Sequence, residues 1–170
     1  MITIEIKLLT NKFGGCPWNS ASNEGKTEII PSPIRILRAI LSGLYQDTTS
    51  KTGEFDTLTE KQKSLFCKLL ECTPSYYIPK YTHAGVISYL PEYATSLRNI
   101  AVTTKENQTS SRISFDPYIT FEEDDSSIFV FFKNTLTSAE RQLLSDGLEY
   151  LSYLGRSEYA AEWKLLRQCK

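Results

Sequence analysis

Ile128-Phe129-Val130-Phe131-Phe132, followed after a four-residue link by Thr137-Ser138-Ala139-Glu140, is the stretch that decides the fold. Five apolar residues without interruption mark a central strand covered on both faces. Thr137 and Glu140 have the spacing of a capping box, so a helix starts there. We expect it to run to Leu154 with Leu144, Leu148 and Leu151 inside. The turn Leu154-Gly155-Arg156-Ser157-Glu158 then closes that helix and opens a last strand through Ala161, Trp163 and Leu165. A helix stop of this kind aims backbone N–H groups and a cation at one place, which suits a phosphate.

The N-terminal half reads as a second unit of the same kind. Ile2, Ile4, Ile6 and Leu8 alternate with Thr3, Glu5 and Lys7, the period of a half-buried strand. A loop rich in Gly, Asn and Ser follows from Asn11 to Thr27, with Trp18 exposed in its middle. Ser32 is a good N-cap and Pro33 suits the first helical position. Ile34, Leu37, Leu41 and Leu44 form the expected buried stripe, while Arg35, Arg38 and Ser42 share another face. Polar residues from Gln46 to Thr57 read as a loop, Thr59 to Cys72 as a further helix facing inward through Leu65, Phe66, Leu69 and Leu70, and Tyr76 to Pro79 as a short strand.

Between Ala84 and Arg112 the pattern is irregular, and Thr103 to Ser111 is almost wholly polar. Such a segment has little to bury against the entropy of ordering, so it reads as an exposed hairpin or mobile arm. Alternation returns with Ile113, Phe115, Ile119 and Phe121, ahead of an acidic turn from Glu122 to Asp125. With the insertions removed, the order is β-α-β-β-α-β. The expected fold class is therefore α+β: one ferredoxin-like (RRM-like) domain over residues 1–170, with an inserted helix and a projecting arm at about 84–112.

Bulk composition narrows the function classes. At 170 residues, 41% hydrophobic and 23% charged, the chain suits one domain that needs no disulfide or metal staple. Nineteen basic against twenty acidic side chains argue against a generic polyelectrolyte binder but leave room for a local basic groove. Cys16, Cys67, Cys72 and Cys169 show no CxxC pair, and His83 is the sole histidine, so no zinc set assembles; free, mostly buried thiols are expected. With no signal peptide and no long apolar run, we expect a soluble cytoplasmic protein, without membrane, metal or cofactor.

Two segments resemble a known family. Met1 to Thr10, its loop, and Ile30-Pro31-Ser32-Pro33-Ile34-Arg35-Ile36-Leu37-Arg38-Ala39-Ile40-Leu41 form the first. Asp116-Pro117, the strand Ile128 to Phe132, the helix, and Tyr153-Leu154-Gly155-Arg156-Ser157-Glu158 form the second, whose Leu-Gly-Arg-Ser step is the more specific half. Together they resemble the Cas-five subunits of type I CRISPR effector complexes, in the RAMP superfamily, and in particular the N-terminal half of the fused Cas-five/Cas-six protein of type I-G (formerly I-U) systems. Coverage is good for about Met1 to Tyr45 and Ile113 to Leu165 and poor between. Type I-G proteins continue into a Cas-six-like nuclease domain, whereas this sequence stops at Lys170. We therefore expect a separate nuclease polypeptide or a stand-alone Cas-five.

The resemblance implies a structural role in an antiviral ribonucleoprotein, the Cascade complex. Family members cap the 5′ handle of the CRISPR RNA (crRNA), and an arm called the thumb reaches over the guide. The implied partners are the crRNA handle, the backbone and large subunits, and target DNA beside the protospacer-adjacent motif. The excursion between Ala84 and Arg112 falls where the thumb would be.

Each candidate residue has two readings. Arg35 and Arg38 are solvated arginines on an amphipathic helix or forks for handle phosphates. Gly155, Arg156 and Ser157 are a capped helix end or a close backbone approach to RNA. Trp18 and Tyr81 stack on splayed bases or pack against protein. Lys80, Lys105 and Arg112 steady the RNA or sit in solvent. His83, with Lys80 and Tyr77 or Tyr81, also carries types needed for metal-independent RNA cleavage, so an endoribonuclease processing precursor crRNA is one alternative. A ferredoxin-like protein–protein module without RNA is the other. The main expectation is non-catalytic RNA binding.

Overall fold

The computed structural model describes residues 1–17, 20, 26–54, 57–91, 111–122 and 126–167. Strands β1 (Ile2–Leu8) and β2 (Lys12–Phe13) precede helices α1 (Pro33–Thr52) and α2 (Glu60–Leu70). Then come β3 (Ser75–Tyr77), β4 (Tyr81–Pro91), β5 (Ser111–Phe121), β6 (Ser127–Phe132), α3 (Ser138–Glu149) and β7 (Ala161–Leu165). Among the described residues the class is α+β, with two antiparallel sheets and three helices. One sheet has the order β3-β6-β1-β7, the other β2-β5-β4.

Alternation in β1 does what its period demands. Ile2, Ile4, Ile6 and Leu8 are fully buried, while Lys7 is exposed. Ile4 pairs with Val130 of β6 on one side and Leu165 of β7 on the other, so β1 is interior to its sheet. In β6 the continuous apolar run covers both faces unequally. Ile128, Val130 and Phe132 are buried, whereas Phe129 and Phe131 are half-buried, with Phe129 tilted against Tyr77. Phe13, Ile119 and Phe121 carry the second sheet into the same apolar cluster.

Helix starts follow the sequence closely. Ser32 Oγ accepts the Arg35 N–H at 3.4 Å, with Pro33 at the first helical position. Thr59 with Gln62, and Thr137 with Glu140, close reciprocal capping boxes, each satisfying N–H groups that helix geometry leaves without partners.

Three expectations give way. First, α1 does not stop at Tyr45: the polar stretch from Gln46 continues as helix to Thr52 and ends on Gly53 at φ 74°. The reason is tertiary. Asp47 is 2% exposed and accepts from Gln62 Nε2 of α2 at 3.3 Å, while Thr48 donates to Gln62 Oε1 at 2.7 Å, so these polar groups are satisfied between helices instead of in water. Second, the buried stripe is rotated. Ile36, Ile40, Gly43 and Leu44 face the core and Ile34 is 53% exposed, because α3 closes on α1 through glycine: a Cβ on Gly43 would collide with the Gly147 carbonyl. In α2, Leu70 likewise points outward. Third, the pattern read as irregular from Ala84 is strand to Pro91, laddered to β5 from Tyr81↔Phe121 to Pro91↔Ser111. Residues 92–110 of that excursion lie outside the described residues.

Among the described residues, Cys16 and Cys72 are half-buried and Cys67 is exposed, so the thiols are free but less buried than expected. No described helix is long and apolar enough to cross a membrane, and no cluster of three metal-ligating side chains occurs among the described residues.

Candidate functional site

Helix α3 ends at Glu149 with Tyr150 as its cap in right-handed conformation. Gly155 is therefore not the helix stop that its sequence suggested. It sits five residues later in a tight turn, at φ 82°, between Tyr153 and Ala160, which bridge each other. Leu154 N–H donates to Tyr159 O at 3.0 Å and Tyr159 N–H to Arg156 O at 3.1 Å, fixing the turn ahead of β7. The anion-binding logic of a helix terminus does not apply to this turn.

The turn nevertheless meets the start of α1. Arg35 reaches across so that a Cβ on Gly155 would lie 3.3 Å from its Nη1. Glu28 holds the other end of the guanidinium, Arg35 Nε donating to Oε2 at 2.8 Å, while Oε1 accepts the Ser32 N–H at 2.8 Å. Arg35 Nη2 adds a long contact to Cys16 O at 3.5 Å. Glu28 N–H in turn closes onto Gly15 O at 2.7 Å, which pins the base of the N-terminal loop beside α1.

Around this junction lies a cleft of about 440 Å³, within the usual range for small-ligand sites. Arg35, Arg38 and Ser42 form its helical wall, and Tyr150, Ser152, Tyr153 and Gly155 the opposite one. Arg38 is exposed and makes no hydrogen bond or ion pair among the described residues. Arg156 does not line the cleft. Its Nη1 bonds Asp116 Oδ1 of β5. Partial burial opposes its charge, but the Asp116 carboxylate and its hydrogen bond outweigh that and raise the Arg156 pKa. Ser157 is exposed in the same turn.

The remaining candidates lie elsewhere. Lys80, just before β4, is 3.9 Å from Glu122, and Tyr81 and His83 in β4 stack edge to face with ring centroids 5.5 Å apart. All three are exposed on the second sheet and line no part of the cleft. Arg112 lies in β5, opposite Leu90. Trp18 and Lys105 lie outside the described residues.

The second wall is hidden in the sequence. Its pattern reads Tyr150 and Tyr153 as part of a helix running on to Leu154, because no glycine or proline marks the true end at Tyr150. Glu28 carried no motif at all; its partnership with Arg35 exists only after folding. Comparison with protein-family models and with curated protein sequences finds no match to this chain.

Proposed function

We propose that this chain is a non-catalytic, single-strand RNA-binding subunit of a type I CRISPR effector ribonucleoprotein, holding the 5′ handle of the guide beside the backbone and large subunits and the target DNA. The observation that carries the reading is the contact of Arg35 with Gly155. These residues belong to the two separate segments that resemble the Cas-five family, and they meet at one cleft. The strand order supports the fold that the resemblance implies: β1-α1-β3-β6-α3-β7 builds an antiparallel sheet in the order β3-β6-β1-β7, the split arrangement of ferredoxin-like domains, with α2 inserted and β2, β5 and β4 set apart.

The electrostatics qualify how RNA is held. Two of the arginines near the turn already have carboxylate partners, Glu28 for Arg35 and Asp116 for Arg156. Phosphate contact falls first to Arg38, and handle binding has a modest ionic component. The same pairing favours the second reading, a protein–protein module without RNA.

One experiment separates them. Titrate the chain with repeat-derived RNA over a range of salt. Arg38→Ala should weaken binding and flatten the salt slope by about 0.7 per lost phosphate contact. Arg156→Ala, which removes a guanidinium paired with Asp116 outside the cleft, should weaken it less. No RNA binding by the unaltered chain, even at low salt, leaves the protein–protein module. Cleavage of that RNA in EDTA, abolished by His83→Ala, overturns the non-catalytic assignment.

A further inference from the structure

The cleft beside Gly155 does not end at Ser42. It opens along α1 into a second chamber of about 670 Å³ that reaches Ser50 and is walled by Tyr45. Arg38, Ser42, Gln46 and Tyr150 line both chambers, so the two share one partition. Among the described residues, no acidic side chain lines either chamber. Arg38, the cation at the partition, has no carboxylate partner among the described residues. Tyr150 is 38% exposed and Tyr153 48%, leaving ring surface open to the groove.

We propose that the two chambers hold consecutive nucleotides of a single-stranded RNA, with base faces packed on Tyr150 and the linking phosphate at Arg38. The inference rests on the RNA-binding reading and assigns it a groove along α1. A single cation between two chambers matches the one phosphate that joins two nucleosides. Hydroxyls and an amide from Ser42, Thr49 and Gln46 supply donors and acceptors for base edges or ribose without imposing a charge. Aromatic faces accept any base, so the groove binds through stacking more than through ion pairing, in keeping with the carboxylate partners of Arg35 in its wall and of Arg156 outside it. An acidic peptide would suit Arg38 but gains nothing from the ring faces that a base gains.

The test uses the full chain and two short RNAs of equal length, one intact and carrying a fluorescent adenine analogue, one with abasic riboses. The unaltered chain should bind the intact RNA about tenfold or more tightly than the abasic one, and quench the analogue. Tyr150→Leu should erase most of that preference and the quenching, and Tyr150→Phe should keep both. Because Tyr150 also caps α3, Ser42→Trp provides a second arm: it fills the partition from an exposed helix face and should cost about tenfold in affinity. Equal binding of intact and abasic RNA overturns the proposal. So does a preference that survives both Tyr150→Leu and Ser42→Trp. Binding weakened by Arg156→Ala but by neither groove variant overturns the groove alone. No binding of either RNA overturns the groove and the RNA-binding reading together.

Discussion

The guanidinium of Arg35 lies against the backbone of Gly155, close enough that a methyl group on that glycine would sit 3.3 Å from Nη1 and 3.6 Å from the Gly14 carbonyl oxygen. Three chain segments therefore converge on a residue without a side chain: the loop after β2, the first turn of α1, and the turn before β7. Glu28 makes the arrangement rigid, since one carboxylate anchors both Arg35 Nε and the Ser32 N–H at the helix start.

Gly155→Ala should destabilise the fold by about 1–2 kcal/mol from the left-handed backbone alone, and by more through crowding of Arg35. Gly53→Ala is the matched comparison, because Gly53 has φ 74° with nothing within 4 Å of its Cβ position. Urea unfolding of both variants separates strain from contact. If the two losses are equal, Arg35 does not depend on Gly155.

Gly43→Ala addresses the α1–α3 junction. The added methyl meets backbone, the Gly147 carbonyl, which cannot swing aside as a flexible side chain does. The expected loss is about 3 kcal/mol, at the upper end of overpacking costs. A melting temperature within a degree or so of the unaltered protein would show that the helices have room to part.

Glu140 should make stability fall in acid. The Lys68 ammonium, and then the Thr137 N–H, hold its carboxyl at about 2, below the usual 4.5. A folded value below the unfolded one means the contribution is complete above about 4.5 and is lost as pH falls toward 2. Glu140→Gln keeps a capping-box acceptor, as Gln62 does in α2, but loses the ion pair. The variant should be less stable at neutral pH and lose less across that interval. Denaturant midpoints at several pH values check it; parallel curves would remove Glu140 as a source of the acid dependence.

Tyr76→Phe should be neutral or stabilising by up to about 1 kcal/mol. The Tyr76 hydroxyl is buried without a hydrogen-bond partner among the described residues, and burial pushes its pKa upward, with Glu28 adding to the shift. Removing an unsatisfied hydroxyl removes its desolvation cost. A clear loss on thermal unfolding would reveal a hydrogen bond to that oxygen.

Local signals were legible where short-range physics decides the outcome. Alternation at Ile2, Ile4, Ile6 and Leu8, the Ser32-Pro33 helix start and the Thr137–Glu140 box all have partners within a few residues or a strict period, and each appears in the structure. What stayed hidden depends on neighbours far along the chain. Asp47 and Thr48 look like loop residues until Gln62 of α2 satisfies both. The rotation of α1 rests on two glycines that only packing brings together. The cleft was half visible, since Arg35, Arg38 and Ser42 share a helix face, but its tyrosine wall was masked by a helix end that carries no glycine or proline.

The Gly15–Glu28 hydrogen bond closes a short circuit across the N-terminal loop, at the very residue that steadies Arg35. Because Glu28 is tethered through its own backbone as well as through its carboxylate, the arginine inherits its aim from the base of the loop. A change that loosens the chain at Gly15 should therefore misdirect Arg35 without touching it.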